Sequence, residues 1–223
     1  MATNVTYKTL FRRRREGKTD YTKRLALVRS KTPRLVVRKS NKRIIAQVVQ
    51  FDLKGDTTLA SVDSNDLKEY NWYGTNNTPS AYLVGFLLGK KLAGQKCNLD
   101  IGRRHPSHGS VVFATLKGAA DGGIIIPFSE TAVPSADRLN AKTLDEYSNK
   151  LGDKAKTVFS NYIKEGIMPG EFNKAFEKAK AEIAKVKAWI DAMKHTARKA
   201  EKLLKVVDAE ELKKLKLKRL KEN

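Results

Sequence analysis

The chain has 223 residues, 40% of them hydrophobic, and a formal net charge of +21 from 45 Lys and Arg against 24 Asp and Glu. That hydrophobic share supports a packed core and excludes a wholly disordered chain, while the charge calls for a polyanionic partner such as RNA or DNA. Cys97 is the single cysteine, which excludes an intrachain disulfide and a cysteine zinc cluster, and with no signal-like or membrane-length apolar run the reading is of an intracellular, reducing compartment.

The charge sits at the two ends. Residues 1–45 carry 15 Lys and Arg against two acids, residues 46–193 carry 19 against 17, and residues 194–223 carry 11 against five. Residues 1–20 read as an extended, adaptable arm. Arg12, Arg13, Arg14 and Arg15 cannot all face one way on a helix, but an extended arm can use all four. Tyr7, Phe11 and Tyr21 interleave with Lys8, the four arginines and Lys18. Rings stack on unpaired bases while guanidinium groups pair with phosphates. A charge run by itself is as often a solvated face or an import signal; the interleaved rings favour nucleic acid. Anionic lipid is disfavoured because the segment has no broad apolar helix face.

Asp20 is placed to cap a short helix from Tyr21 to Ser30, which carries Lys23, Arg24 and Arg29. Thr32-Pro33 then forces extended geometry. Three strands follow: 34–39, 43–51 after a turn at Asn41, and 57–62 after Lys54-Gly55-Asp56. Their short connections predict an antiparallel meander. Thr78-Pro79-Ser80 starts a helix with Pro in its first turn, and Gly85 and Gly89 share one of its faces, expected against the sheet. A fourth strand at 97–101, reached by this helical crossover, should run parallel to the first. A helix at 111–120 ends at Asp121-Gly122-Gly123, and 124–126 reads as a brief buried strand closed by Pro127. The order β-β-β-α-β-α-β is a three-layer α/β unit.

After Pro134 the pattern becomes helical, patchily from 144 to 163. From Phe172 the apolar positions fall at 172, 176, 179, 183, 186, 190, 193, 197, 200, 204 and 207, an alternating 4,3 spacing. That predicts a long helix with an Ala-rich seam, either docked or self-associating.

The β-β-β-α-β order resembles a ribonuclease-H-like layout, whose enzymes hold magnesium on clustered carboxylates. Such chemistry needs an acid on the first strand, and RLVVRK has none. Asp100 stands alone beside Arg103 and Arg104, and Asp52, Asp56, Asp63 and Asp66 fall at turns, where Asp bonds local backbone. Pro106 prevents His105 and His108 from pairing on a helix, and no third ligand is near, so no metal site is expected. Ser107-His108-Gly109-Ser110 lacks a nucleophile elbow and reads as a turn. Asn71-Trp72-Tyr73-Gly74, with Asn76 and Asn77, either presents Trp72 and Asn76 to a base or partner, or buries the Trp.

The runs FRRRREGKTDY (11–21), PRLVVRKSNKRIIAQ (33–47), SNDLKEYNW (64–72), PSAYLVGFLLG (79–89), LDIG (99–102) and GSVVFATLKGAADGGIIIPFSE (109–130) together resemble the archaeal and eukaryotic type of the L-eighteen family of large-subunit ribosomal proteins. The resemblance covers about residues 5–190. It implies a non-catalytic, ribonuclease-H-like α/β core with a three-strand antiparallel meander plus a parallel strand, at residues 33–133. A basic arm and short helix (1–32) and a long helical C-terminal extension (134–223) would flank it. It further implies a structural role in the central protuberance of a cytoplasmic ribosome, with contacts to 5S rRNA, 23S-type rRNA and a neighbouring protein of the L-five family. No cofactor, small-molecule substrate or membrane is implied. The family's arm and sheet-edge cations fall here on Arg12 to Arg15, Lys18, Arg24, Arg38, Lys39, Asn41, Lys42 and Arg43, to which the residue reading adds Tyr7, Lys8, Phe11, Tyr21, Arg29, Trp72, Asn76, Arg103 and Arg104. The tail after Lys194 is longer than expected for archaeal members, so no contacts carry over to it. Outside this reading stand a ribonuclease-H-type nuclease, disfavoured by the missing first-strand acid, and a scaffold dimerising through 172–207.

Overall fold

Alternation of side chains decides which way the sheet faces. In the computed structural model, which describes residues 8–186, β1 (Arg34–Lys39), β2 (Ile44–Gln50) and β3 (Thr57–Asp63) form the antiparallel meander. β4 (Asn98–Asp100) joins parallel to β1, giving the order β3-β2-β1-β4. Leu35, Val37, Ile44, Ala46, Val48 and Val62 lie on one face and are fully buried. Arg34, Val36 and Arg38, paired in register with Val49, Gln47 and Ile45, occupy the other.

Two helices cover the apolar face. α3 (Thr78–Lys91) begins at Asn77, whose side chain accepts from the Ser80 amide, and α4 (Val111–Gly122) ends on Gly123 in the left-handed region at φ 115°. Gly85 and Gly89, expected against the sheet, meet α4 instead. A Cβ on Gly85 would collide with the Thr115 carbonyl, one on Gly118 with the Tyr82 carbonyl, and one on Gly89 would lie 2.7 Å from Gly122 Cα. The two backbones touch at this crossing, which is why four glycines line it.

Two further expectations change. The strand predicted at 124–126 reduces to a single parallel bridge, Lys96 with Ile125. Ile124 and Ile126 are buried but Ile125 is 59% exposed, and Pro127 has no N–H with which to continue a ladder. The arm is not extended throughout. It contains one helical turn, α1 (Arg12–Arg15), before α2 (Tyr21–Arg29). Asp20 caps α2 as predicted, accepting from the amides of Thr22 and Lys23 at 3.0 and 3.2 Å.

Beyond Pro134, α5 (Ala136–Leu139), α6 (Lys142–Leu151), α7 (Ala155–Val158) and α8 (Ser160–Lys164) lead to a longer helix, α9, described at 172–186. Asp145 fixes its start by accepting from the amides of Phe172 and Asn173 at 2.7 and 3.0 Å. Phe172, Phe176, Ala179 and Ile183 are buried. Phe172 packs on Phe159 and Tyr162, and Phe176 on Trp72 and Tyr82. The opening positions of the heptad seam are therefore consumed inside the chain rather than left for a second copy. The remainder of that seam lies outside the described residues.

Candidate nucleic-acid interface

Three segments remote in sequence supply the exposed cations of one region. The first is the arm. Phe11 is 79% exposed, with its ring 6.4 Å from that of Tyr21. Glu16 bonds Lys18 at 2.7 Å and approaches Arg12 at 3.8 Å, while Arg13 Nε donates to Thr19 Oγ1 at 2.9 Å. Lys8, Arg14, Arg15 and Arg29 are also exposed. Tyr7 lies outside the described residues.

The second segment is the loop after β4. A Cβ on Gly17, which has φ 63°, would lie 2.8 Å from Arg103 Nη1, so the arm rests on that side chain. The third is the β1–β2 turn. Arg104 Nη2 donates to the Lys39 carbonyl at 2.7 Å, tying the loop to the end of β1. Ser40 Oγ accepts from the amides of Lys42 and Arg43, which holds Asn41, Lys42 and Arg43 in an exposed tip. Arg43 is 3.7 Å from Asp63.

Beneath these cations runs a ladder of alternating charge. Arg24 Nη2 donates to Asp56 Oδ1 at 2.8 Å, and Arg34 Nη2 to Asp56 Oδ2 at 2.6 Å. Arg34 Nη1 donates to Asp100 Oδ2 at 3.1 Å, and Arg38 Nη2 to Asp100 Oδ1 at 2.9 Å. Arg38 Nη1 adds a bond to the Asp100 carbonyl at 2.7 Å, and the Gly102 amide donates to Asp100 Oδ1 at 2.8 Å. Burial acts to raise the Asp56 carboxyl, but the hydrogen bonds and charges of Arg24 and Arg34 outweigh it and hold the group below its ordinary value. Charge-assisted bonds of this kind fix guanidinium planes more firmly than neutral ones.

The ladder corrects the reading of two aspartates. Asp100 has arginine neighbours as expected, but those it bonds are Arg34 and Arg38 rather than Arg103 and Arg104. Asp56 does not bond local backbone; it joins α2 to β1. Asp63 and Asp66 do bond local backbone as expected, forming a capping box at the start of a 3-10 turn, Ser64–Tyr70. No local pattern marks Asp56, Asp100 and Arg34 as partners, because they are separated by 22 to 66 positions.

Trp72 is a further correction. It is 1% exposed, and its Nε1 donates to Ser80 Oγ at 2.8 Å. With its N–H satisfied and its ring edge-on to Tyr162 and Phe176, it offers no face to a base. Asn76 is half-buried beside it. The Ser110 amide donates to the Ser107 carbonyl at 3.2 Å, closing the expected turn, and His108 Nδ1 lies 2.9 Å from the Thr131 carbonyl. Cys97 is buried, and burial pushes its thiol up to about 11.

The chain matches the family described as ribosomal large subunit proteins 60S L5 and 50S L18, over residues 5–95 and 93–129. It is 43% identical over 183 residues to the large ribosomal subunit protein uL18 of Korarchaeum cryptofilum, covering 79% of this chain and 94% of the relative. It is 48% identical over 162 residues to the protein of the same name from Methanoregula boonei, covering 71% of this chain and 93% of the relative.

Proposed function

The chain belongs to the uL18 family of large-subunit ribosomal proteins, and from that premise we propose that it binds 5S rRNA and anchors it in the central protuberance. It is a structural constituent of the large subunit of the cytoplasmic ribosome and not an enzyme. The convergence of arm, β1–β2 tip and β4–α4 loop on one cationic region is the observation that carries the RNA reading. Arg12 to Arg15, Lys18, Arg24, Arg29, Arg38, Lys39, Lys42, Arg43, Arg103 and Arg104 supply phosphate contacts, Phe11 and Tyr21 supply stacking, and Asn41 and Lys8 lie at the rim.

In this reading residues 1–32 form the RNA-gripping arm, 33–133 the rRNA-binding core and 134–223 an extension toward 23S-type rRNA and neighbouring proteins, including one of the L-five family. The strand order β3-β2-β1-β4, with α3 and α4 on one face, supports a ribonuclease-H-like core. Nuclease chemistry finds no support in Asp100, whose carboxylate is taken by two guanidinium groups. Crosslinking in purified ribosomes, with the attached RNA sequenced, tests the proposal. Crosslinks from 11–43 and 103–104 to 5S rRNA are expected; crosslinks confined to other RNA would overturn it.

A further inference from the structure

Between α2 with the arm above and the open face of the sheet below lies a groove of about 710 Å³. This is within the size range of sites that hold one small ligand, roughly 300–1,000 Å³. Leu27, Val36 and Leu99 line it half-exposed, with Val49 beside them, so apolar surface that would ordinarily be packed is left open under a helix. Arg13, Lys18 and Lys23 stand along the same groove. Gln47 and Thr58 add polar groups. Arg34, 3% exposed, also lines it, and its Nε finds no acceptor among the described residues.

We propose that this groove takes one unpaired nucleotide of the bound RNA, the base against Leu27, Val36 and Val49 and its phosphate against Arg13, Lys18 and Lys23. The inference rests on the RNA-binding reading above and adds a subsite to it. Three features select this occupant. The walls are apolar on both sides, Leu27 from α2 and Val36 and Val49 from the sheet, which suits the two faces of a flat ring. The cations stand with the arm, where an anionic backbone would pass. Residues 1–7, MATNVTY, carry no acid, so they have no charge complementary to these cations. Gln47 and Thr58 can hydrogen-bond a base edge, as single-stranded RNA recognition requires, and the unpaired Arg34 Nε is a donor awaiting an acceptor.

The test uses the full chain and 5S rRNA carrying 4-thiouridine or 6-thioguanosine. Val36→Phe and Val49→Phe fill the groove without removing a cation. Each is expected to lower affinity by about tenfold, the loss of one base's apolar burial. In the wild type, photocrosslinks to the peptides bearing Val36 or Val49 are expected, and they should vanish in the filled variants. Unchanged far-UV circular dichroism and thermal melts of both Phe variants control for damage to folding. Unchanged affinity in both Phe variants, with crosslinks only to the arm, would overturn the subsite while leaving the RNA reading intact. Failure of the wild type to bind 5S rRNA in a salt-dependent way would overturn the underlying reading instead. Faster hydrogen exchange at Val36 and Val49 on deletion of residues 1–7, with no crosslink there, would assign the groove to those residues and also sink the proposal.

Discussion

Arg34 Nη1 donates to Asp100 Oδ2 at 3.1 Å, a buried ion pair between the first residue of β1 and the last of β4. Because Asp100 also holds Arg38, whose side chain is 46% exposed, one carboxylate serves the core and the surface together. Arg34 is in turn shared with Asp56, and through it α2 is fastened to the sheet. The ladder couples the position of surface cations to the stability of the core.

Asp100→Ala should therefore act on both. Removing one partner from a buried pair costs about 3 kcal/mol, because Arg34 keeps its charge out of water with a single remaining partner. A shift in the urea midpoint at unchanged slope measures this. The variant is also one unit more positive, so simple electrostatics predicts tighter RNA binding. Loss of the Arg38 anchor predicts weaker binding, by about tenfold. Tighter binding would show that Asp100 does not position Arg38 for RNA.

Acid should release the arm helix through Asp56. Its carboxyl lies below the ordinary value of 3.8. A depressed carboxyl contributes stability that is complete above its unfolded value and lost as pH falls through its lower folded value. The contribution should thus be flat at neutral pH and decline below about pH 4. Asp56→Asn abolishes it, so the stability gap between wild type and variant should narrow in acid. A gap that stays constant from about pH 6 to about pH 2 would argue against the linkage.

Gly85→Ala tests the helix crossing. In an isolated helix the change would stabilise by about 1 kcal/mol. Here the new methyl group meets the Thr115 carbonyl and lies 2.9 Å from the Ala119 amide nitrogen, so the helices must separate. Net destabilisation of roughly 2 kcal/mol is expected, as overpacking typically gives about 1–3. A variant as stable as the wild type in thermal melts would show that the crossing can slide.

Phe176→Ala should loosen the aromatic cluster that joins α9 to the core. Phe176 is 1% exposed, with ring centres 6.0 Å from Trp72 and 5.7 Å from Tyr82. Truncating a buried Phe costs about 3–5 kcal/mol. The chain has two tryptophans, Trp72 and Trp189, so emission is read in a Trp189→Phe background. A red shift is expected as water reaches Trp72; an unshifted spectrum with full stability would mean the cluster does not depend on α9.

Much of the fold was written locally. RLVVRK, RIIAQVVQF and the turns between them state their pairing through β-branched runs and hairpin residues, and Thr78-Pro79-Ser80 states where α3 begins. What local pattern cannot carry is the identity of a distant partner. Gly85 and Gly89 announced close approach but not whether sheet or helix would approach. Trp72 bonds Ser80 only eight positions away, yet no residue pattern in that stretch marks the indole and the hydroxyl as partners. The heptad from Phe172 reads alike for a docked helix and a coiled coil, and only the rings of Trp72, Tyr82, Phe159 and Tyr162 decide its first turns. At the candidate interface the cations were legible as a charge run, whereas Asp56 looked like a turn residue and Asp100 like an isolated strand acid, because their partners lie in other elements.

The arm's arginines are not equivalent, and this gives the sharpest expectation about RNA. Arg12 lies near Glu16 and Arg13 is bonded to Thr19, while Lys18 is paired with Glu16 at 2.7 Å. Arg14 and Arg15 carry no such bonds among the described residues. A cation already engaged within the chain gives up that bond on meeting a phosphate, so its net contribution is smaller. Removing one phosphate contact should flatten the log–log salt dependence of 5S rRNA binding by about 0.7 to 0.9. Arg14→Ala and Arg15→Ala should each remove close to a full contact, and Arg12→Ala less. Glu16→Gln should move the other way, releasing Lys18 and Arg12 and steepening the slope. Filter-binding titrations between about 50 and 200 mM salt resolve these differences, since several phosphate contacts together alter affinity by orders of magnitude over that range. Equal slopes for all four variants and the wild type would mean that the arm's charge attracts RNA at long range without touching its phosphates.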